Sequence, residues 1–305
     1  MYAQRRRIAY GVLLLAFLAG ACSSSKAGDA AKLRVVTAFY PIELAARRIG
    51  GSFVAVTNLT PPGGEPHDVE LRPSDIRSLQ SADVVLYFAD GFQPAVEDAL
   101  KSLPGKSVAV DLLEGLPLKT SGAGSEEGLT VDPHVWLSPA LMQKIADKIT
   151  AVLAENVSAH ADEVRSASAA FAKDLSAIDD AYRMKLAQCA RGEIFTAHAA
   201  FDYLAQQYGL EQIAISGLTP EAEPSSKRLQ QIADRARRAH ATTIFFETLV
   251  SPRVAEAVAR IVGARTAVLD PIEGLTREEH AAGADYVSIM RSNLNNLVEA
   301  LDCKS

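Results

Sequence analysis

From Pro139 to about Ala187 the chain has no glycine, no proline after the first residue, and many Ala and Leu residues. Nothing there interrupts a helical pattern. A helix that long exceeds the globular norm. The stretch is therefore either one spine or a helix pair bent near Asn156–His160. In both cases it divides the chain into two parts that follow a different pattern.

Before it, LRVVT, FVAVTNLT, DVVLYFA and SVAVDLL read as strands, each followed by a helical segment or a loop. After it, EIFTAH, EQIAIS, TTIFFE and TAVLD repeat the alternation, and DYVSIMRSNLNNLVEAL closes the chain as a helix. Strands alternating with helices predict mostly parallel sheets. The expected fold class is α/β: two similar lobes joined by a long backbone helix. The boundaries read as a lobe over 33–138, a linking helix over 139–187 and a second lobe over 188–305. With 305 residues and 48% hydrophobic content, two packed lobes are a reasonable division.

The first residues carry a different message. Arg5–Arg7 form a positive cap, and IAYGVLLLAFLAGA is an apolar run too short to span a bilayer comfortably. LAGAC then places small residues before Cys22, followed by a Ser-rich tether. This pattern is similar to a bacterial lipoprotein signal, with a signal peptide over 1–21, lipidation at Cys22 and a tether over 22–32. Ordinary secretion with a chance cysteine is the alternative. Either reading exports the chain, and a lipidated cysteine would anchor it to the cell membrane on its extracytoplasmic face, or in the periplasm. Export permits a disulfide between Cys189 and Cys303; two unpaired buried thiols are the other possibility. The net charge is -6, which argues against a nucleic-acid partner.

Six histidines are present. His160, His240 and His280 sit in helical or helix-end segments and read as ordinary solvated side chains. His67 follows the strand FVAVTNLT, His198 follows EIFT, and His134 lies in TVDPHVWLSP just before the long helical stretch. Ligands of open α/β sheets bind at the carboxyl ends of strands. Asp270 ends the strand TAVLD in the same way, although an Asp before Pro271 also suits a turn. Three imidazoles and one carboxylate suit a tetrahedral zinc ion. Glu65 and Glu247 stand close enough in sequence or topology to support these ligands. Glu247 is the better placed of the two, and its alternative is a strand-end residue capping the next helix. Trp136 reads as core.

The segments GGEPHDVEL, DPHVWLSP, TAHAAFDYLAQQYGL, GLTPEAEPSSKRL, IFFET and LDPIEG occur in this order, and together they resemble the ZnuA-like family of zinc- and manganese-type substrate-binding proteins of bacterial ABC transporters. The resemblance implies a metal receptor with its site in the interlobe cleft. It implies a monomer that hands its ion to a membrane permease driven by an ATPase. His67, His134 and His198 match the family's three histidine positions, and Asp270 matches the acidic one. Manganese members tend to carry Glu where His198 stands, so imidazole there favours Zn²⁺ over Mn²⁺. Many Gram-negative zinc members carry a His-rich loop before the second ligand. Here that loop has Glu126 and Glu127 and no histidine. Some relatives with this fold act in cell adhesion, which leaves a surface adhesin as an alternative. An enzyme is not expected: a fourth protein ligand closes the metal's shell, and no HExxH or GxSxG motif is present.

Overall fold

The computed structural model describes residues 32–102, 107–120, 129–222 and 224–304. The signal segment with Cys22, the start of the chain through residue 31, and Glu126 and Glu127 lie outside them. Among the described residues no helix is long and apolar enough to cross a membrane.

The first lobe is a parallel sheet of β1 (Leu33–Thr37), β2 (Val54–Asn58), β3 (Val84–Tyr87) and β4 (Val108–Asp111), in the order β2-β1-β3-β4. Val35 pairs with Val56 on one side and Val84 on the other. Such β-branched runs suit a sheet covered on both faces. The covering helices include α1 (Tyr40–Gly50), α2 (Pro73–Ser81) and α3 (Pro94–Ser102), each with proline in its first turn, where a missing N–H costs nothing.

The helical stretch is not one spine. It forms α4 (Pro139–Asn156) and α5 (Ala161–Lys185), broken at Val157, whose φ of -117° leaves the helix. Thr150 donates to Ser168 at 2.7 Å, whereas 18 residues of continuous helix would hold them about 27 Å apart. The two helices therefore fold back on each other. Ser138 starts α4 by accepting from the Leu141 amide at 3.2 Å. On α5, Val164, Ser168, Phe171, Leu175, Ile178 and Tyr182 bury one stripe at steps of three and four.

The second lobe repeats the first. Its strands are β5 (Glu193–Thr196), β6 (Glu211–Ala214), β7 (Thr243–Phe246) and β8 (Arg265–Val268). β5 pairs with β6, β7 pairs with β8, and β5 runs beside β7. The two pairs form separate two-stranded sheets, and their spatial order, β6-β5-β7-β8, follows that of the first lobe. Its helices are α6 (Asp202–Gln207), α7 (Ser226–Arg238), α8 (Arg253–Val262), α9 (Arg277–Ala282) and the closing α10 (Tyr286–Leu301). The sequence pattern passes over α9, which has no buried residue to create a periodicity. Its signal is a capping box: Thr276 accepts from the Glu279 amide, and Glu279 accepts from the Thr276 amide.

Cys189 and Cys303 are joined in the structure and clamp the two ends of the second lobe, 114 residues apart. In the chain-entropy view, closing a loop of that size removes about 4–5 kcal/mol of freedom from the unfolded chain. The largest core cluster does not respect the lobe division. It runs from Phe39, Phe88 and Phe92 through Trp136 to Tyr182, Tyr286 and Leu294. Trp136 is fully buried and donates its indole N–H to the Pro271 carbonyl at 2.7 Å, so it is the core residue its sequence context suggests.

Candidate metal centre

Four side chains from four separate loops converge in the cleft: His67, His134, His198 and Glu273. His67 lies beyond the end of β2, His198 follows β5, and Glu273 follows β8. His134 stands at the turn before α4, in the loop that leaves β4. His198 and Glu247 follow the carboxyl ends of β5 and β7, neighbouring strands of the second lobe, where α/β lobes bind their ligands.

One ligand atom from each of the four residues lies within 4.8 Å of every other. The Glu273 Oε1 atom is 3.1 Å from His134 Nε2, 3.3 Å from His198 Nε2 and 3.4 Å from His67 Nε2. His134 Nε2 and His198 Nε2 are 3.3 Å apart. All four residues are buried.

A second layer fixes the rings. Asp132 Oδ1 lies 2.8 Å from His134 Nδ1 and also accepts the His134 amide at 3.0 Å. Glu247 Oε1 lies 2.6 Å from His198 Nδ1 and accepts the His198 amide at 3.2 Å. Each carboxylate lies within hydrogen-bond reach of an Nδ1, an arrangement that orients the ring with Nε2 toward the cluster. Glu65 acts differently. It accepts the backbone amide of His67 at 3.1 Å and has no imidazole contact, so its part is to shape the loop. Burial, reinforced by Glu273, pushes its carboxyl up to about 9.

The electrostatics are strongly coupled. Burial opposes charge on His134 and His198, but the carboxylates outweigh it and both are raised. For His134 the opposing groups are Asp132 and Glu273; for His198 they are Glu247 and Glu273. Burial lowers His67. Burial would raise Glu273, yet the histidines, His198 foremost, hold it well below the ordinary range. Glu273 is therefore an anion enclosed by imidazoles.

The structure corrects the reading of Asp270. Its carboxylate is buried but is not among the clustered donors: Oδ1 accepts the Ile272 amide at 2.7 Å and Oδ2 accepts the Thr248 hydroxyl at 3.1 Å. The acid that joins the histidines is Glu273, three residues on. Asp270 instead holds the turn that presents Glu273, within which Ile272 takes a φ of +56°. Strand-end logic pointed to the first acid after TAVL, while a turn held by that acid delivers the second. Asp132 also belongs to the site, and its signal in the sequence is DPH, which places an acid two residues before a histidine. His160, His240 and His280 are outside the cluster and half-buried or exposed.

With this geometry in hand, comparisons with known proteins are specific. The profile of the family described as "ZnuA: Zinc-uptake complex component A periplasmic" matches residues 35–300. The high-affinity zinc uptake system protein ZnuA of Bacillus subtilis is 36% identical over 303 residues, covering 94% of this chain and 95% of that protein. The zinc-binding protein AdcA of Streptococcus pyogenes is 36% identical over 285 residues, covering 87% of this chain and 55% of that protein. The chain thus spans little more than half the length of the AdcA proteins it matches. The crystal structure of Zn(II)-bound AdcA from Streptococcus pneumoniae superimposes with a TM-score of 0.78 at 33% identity, covering 89% of this chain and 58% of that one. The chain belongs to the zinc-uptake complex component A family, ZnuA.

Proposed function

We propose that the chain is an extracytoplasmic, high-affinity zinc receptor that hands Zn²⁺ to the permease of an ABC transporter for uptake. The observation that carries this is the spacing of the four donors. A tetrahedron with metal–ligand bonds of about 2.0–2.1 Å has edges of about 3.3–3.4 Å. Four of the six donor separations, 3.1, 3.3, 3.3 and 3.4 Å, have that size, and all six lie within 4.8 Å. Three nitrogens and one oxygen favour zinc over manganese, which prefers oxygen donors.

Four protein ligands leave no open position for a substrate, which supports a receptor over an enzyme, and membership of the zinc-uptake family makes the ion cargo. Cys22 carries the lipid anchor that holds it at the membrane, and the receptor works as a monomer. X-ray absorption at the zinc edge tests the site. The expected spectrum has four nitrogen or oxygen neighbours near 2.0 Å with imidazole multiple scattering. A sulfur shell, or six oxygen neighbours, contradicts it.

A further inference from the structure

Gln93 is 1% exposed and stands immediately before α3. Its amide nitrogen faces three acceptors: the Ala38 carbonyl at 3.3 Å, the Thr60 hydroxyl oxygen at 3.2 Å and the Pro66 carbonyl at 3.2 Å. Ala38 follows β1, Thr60 follows β2, and Pro66 immediately precedes His67. The Thr60 hydroxyl already donates to Ala38 at 2.8 Å, so toward Gln93 it can only accept. Two carbonyls and a committed hydroxyl allow the amide one orientation, nitrogen inward. The other end, Oε1, is then buried without a hydrogen-bond partner.

Buried polar atoms are paired almost throughout native proteins. Departures from such rules concentrate where a site has to hold its geometry. The neighbouring residue points the same way. The ring of Phe92 meets the imidazole of His67 at 4.8 Å and 78°, edge to face. Residues 92 and 93 therefore grip the loop from two sides: Phe92 packs on the imidazole, and Gln93 holds the carbonyl just before it.

We infer that Gln93 is a positioning residue for His67: its N–H donors fix the Pro66 carbonyl to the ends of β1 and β2 and so set the direction in which the imidazole enters the metal centre. An apolar side chain of equal size fills the same space but leaves that carbonyl unheld. The inference rests on the metal-centre reading of His67, and the test separates the two.

Zinc affinity is measured by competition with a chromophoric chelator for the unaltered protein, Gln93→Met, His67→Ala and the double variant. Met is unbranched and close in size to Gln. Gln93→Met is expected to weaken zinc about 10- to 100-fold, the range for residues that orient a ligand. In the His67→Ala background the same change is expected to cost less than about twofold, because the side chain it positions is gone. Equal losses in both backgrounds, or no loss in the single variant, overturn the positioning role. A His67→Ala protein that keeps full affinity overturns the metal-centre reading instead. If circular dichroism shows that Gln93→Met does not fold, Gln93→Leu carries the same cycle, since it is similar in volume and has no donor.

Discussion

The backbone amide of Gly63 donates to the carbonyl of Leu275 at 2.7 Å, tying the loop that carries His67 to the loop that carries Glu273. Gly63 adopts a φ of +80° to do so, and a Cβ there would meet only Arg277 at an ordinary 3.5 Å. The demand is on the backbone and not on space. Gly63→Ala is expected to cost about 1–2 kcal/mol of stability, seen as a lower Tm, and to weaken zinc binding as the two ligand loops part. An unchanged Tm and affinity would show that the tie is incidental.

The same tie bears on motion. The lobes also share one core, and Trp136 bridges them by its bond to Pro271. A wide hinge opening would have to part this shared core. Solution scattering with and without zinc is expected to show a change in radius of gyration below about 1 Å, the scale of a pre-organised binding surface. A compaction of several ångströms would mean that the seam opens.

Glu273 and Asp270 make opposite predictions. Glu273 sits among three imidazoles, so Glu273→Gln should reduce zinc affinity by at least about 100-fold, more than the loss of an orienting residue. Asp270 accepts the Ile272 amide and the Thr248 hydroxyl. Asp270→Asn keeps an acceptor for the turn and should cost less than about 10-fold in affinity. Competition titration of both variants decides the point, and a larger loss at Asp270 would reverse the assignment.

Zinc affinity should fall with falling pH, and the fall should begin above the ordinary histidine range. His134 and His198 are raised against burial by their carboxylate partners, so protons compete for the metal-free site at higher pH than for a free imidazole. Zinc requires the neutral rings, so each proton lost with rising pH strengthens binding until both rings are deprotonated. Glu273, held low, stays ionised throughout this window. Dissociation constants at pH 6 and pH 8 should differ by more than about tenfold, with one to two protons released per ion. A flat profile would show rings already neutral in the metal-free protein.

Much of this was legible in the chain because its causes are local. The strands of both lobes read from their β-branched runs, and the three histidines read from their places beyond strand ends. The hairpin of α4 and α5 was harder. Val157 sits in a stretch of good helix formers, and only packing such as Thr150 against Ser168 decides between a spine and a fold-back. Glu273 was hidden for a related reason. Which acid of LDPIEG reaches the cleft depends on the turn at Ile272, and that turn is held by Thr248 and Asp270, which come from different strand ends. Asp132 and Glu247 become partners of the histidines only once the loops have met.

The most direct measurement is calorimetry on chelator-stripped protein, titrated with Zn²⁺ and separately with Mn²⁺, with His198→Ala beside it. A zinc receptor built on His67, His134, His198 and Glu273 gives tight one-to-one zinc binding, weaker manganese binding, and a marked loss of zinc affinity in the variant. Tighter binding of manganese than zinc, or zinc affinity untouched by His198→Ala, would contradict it.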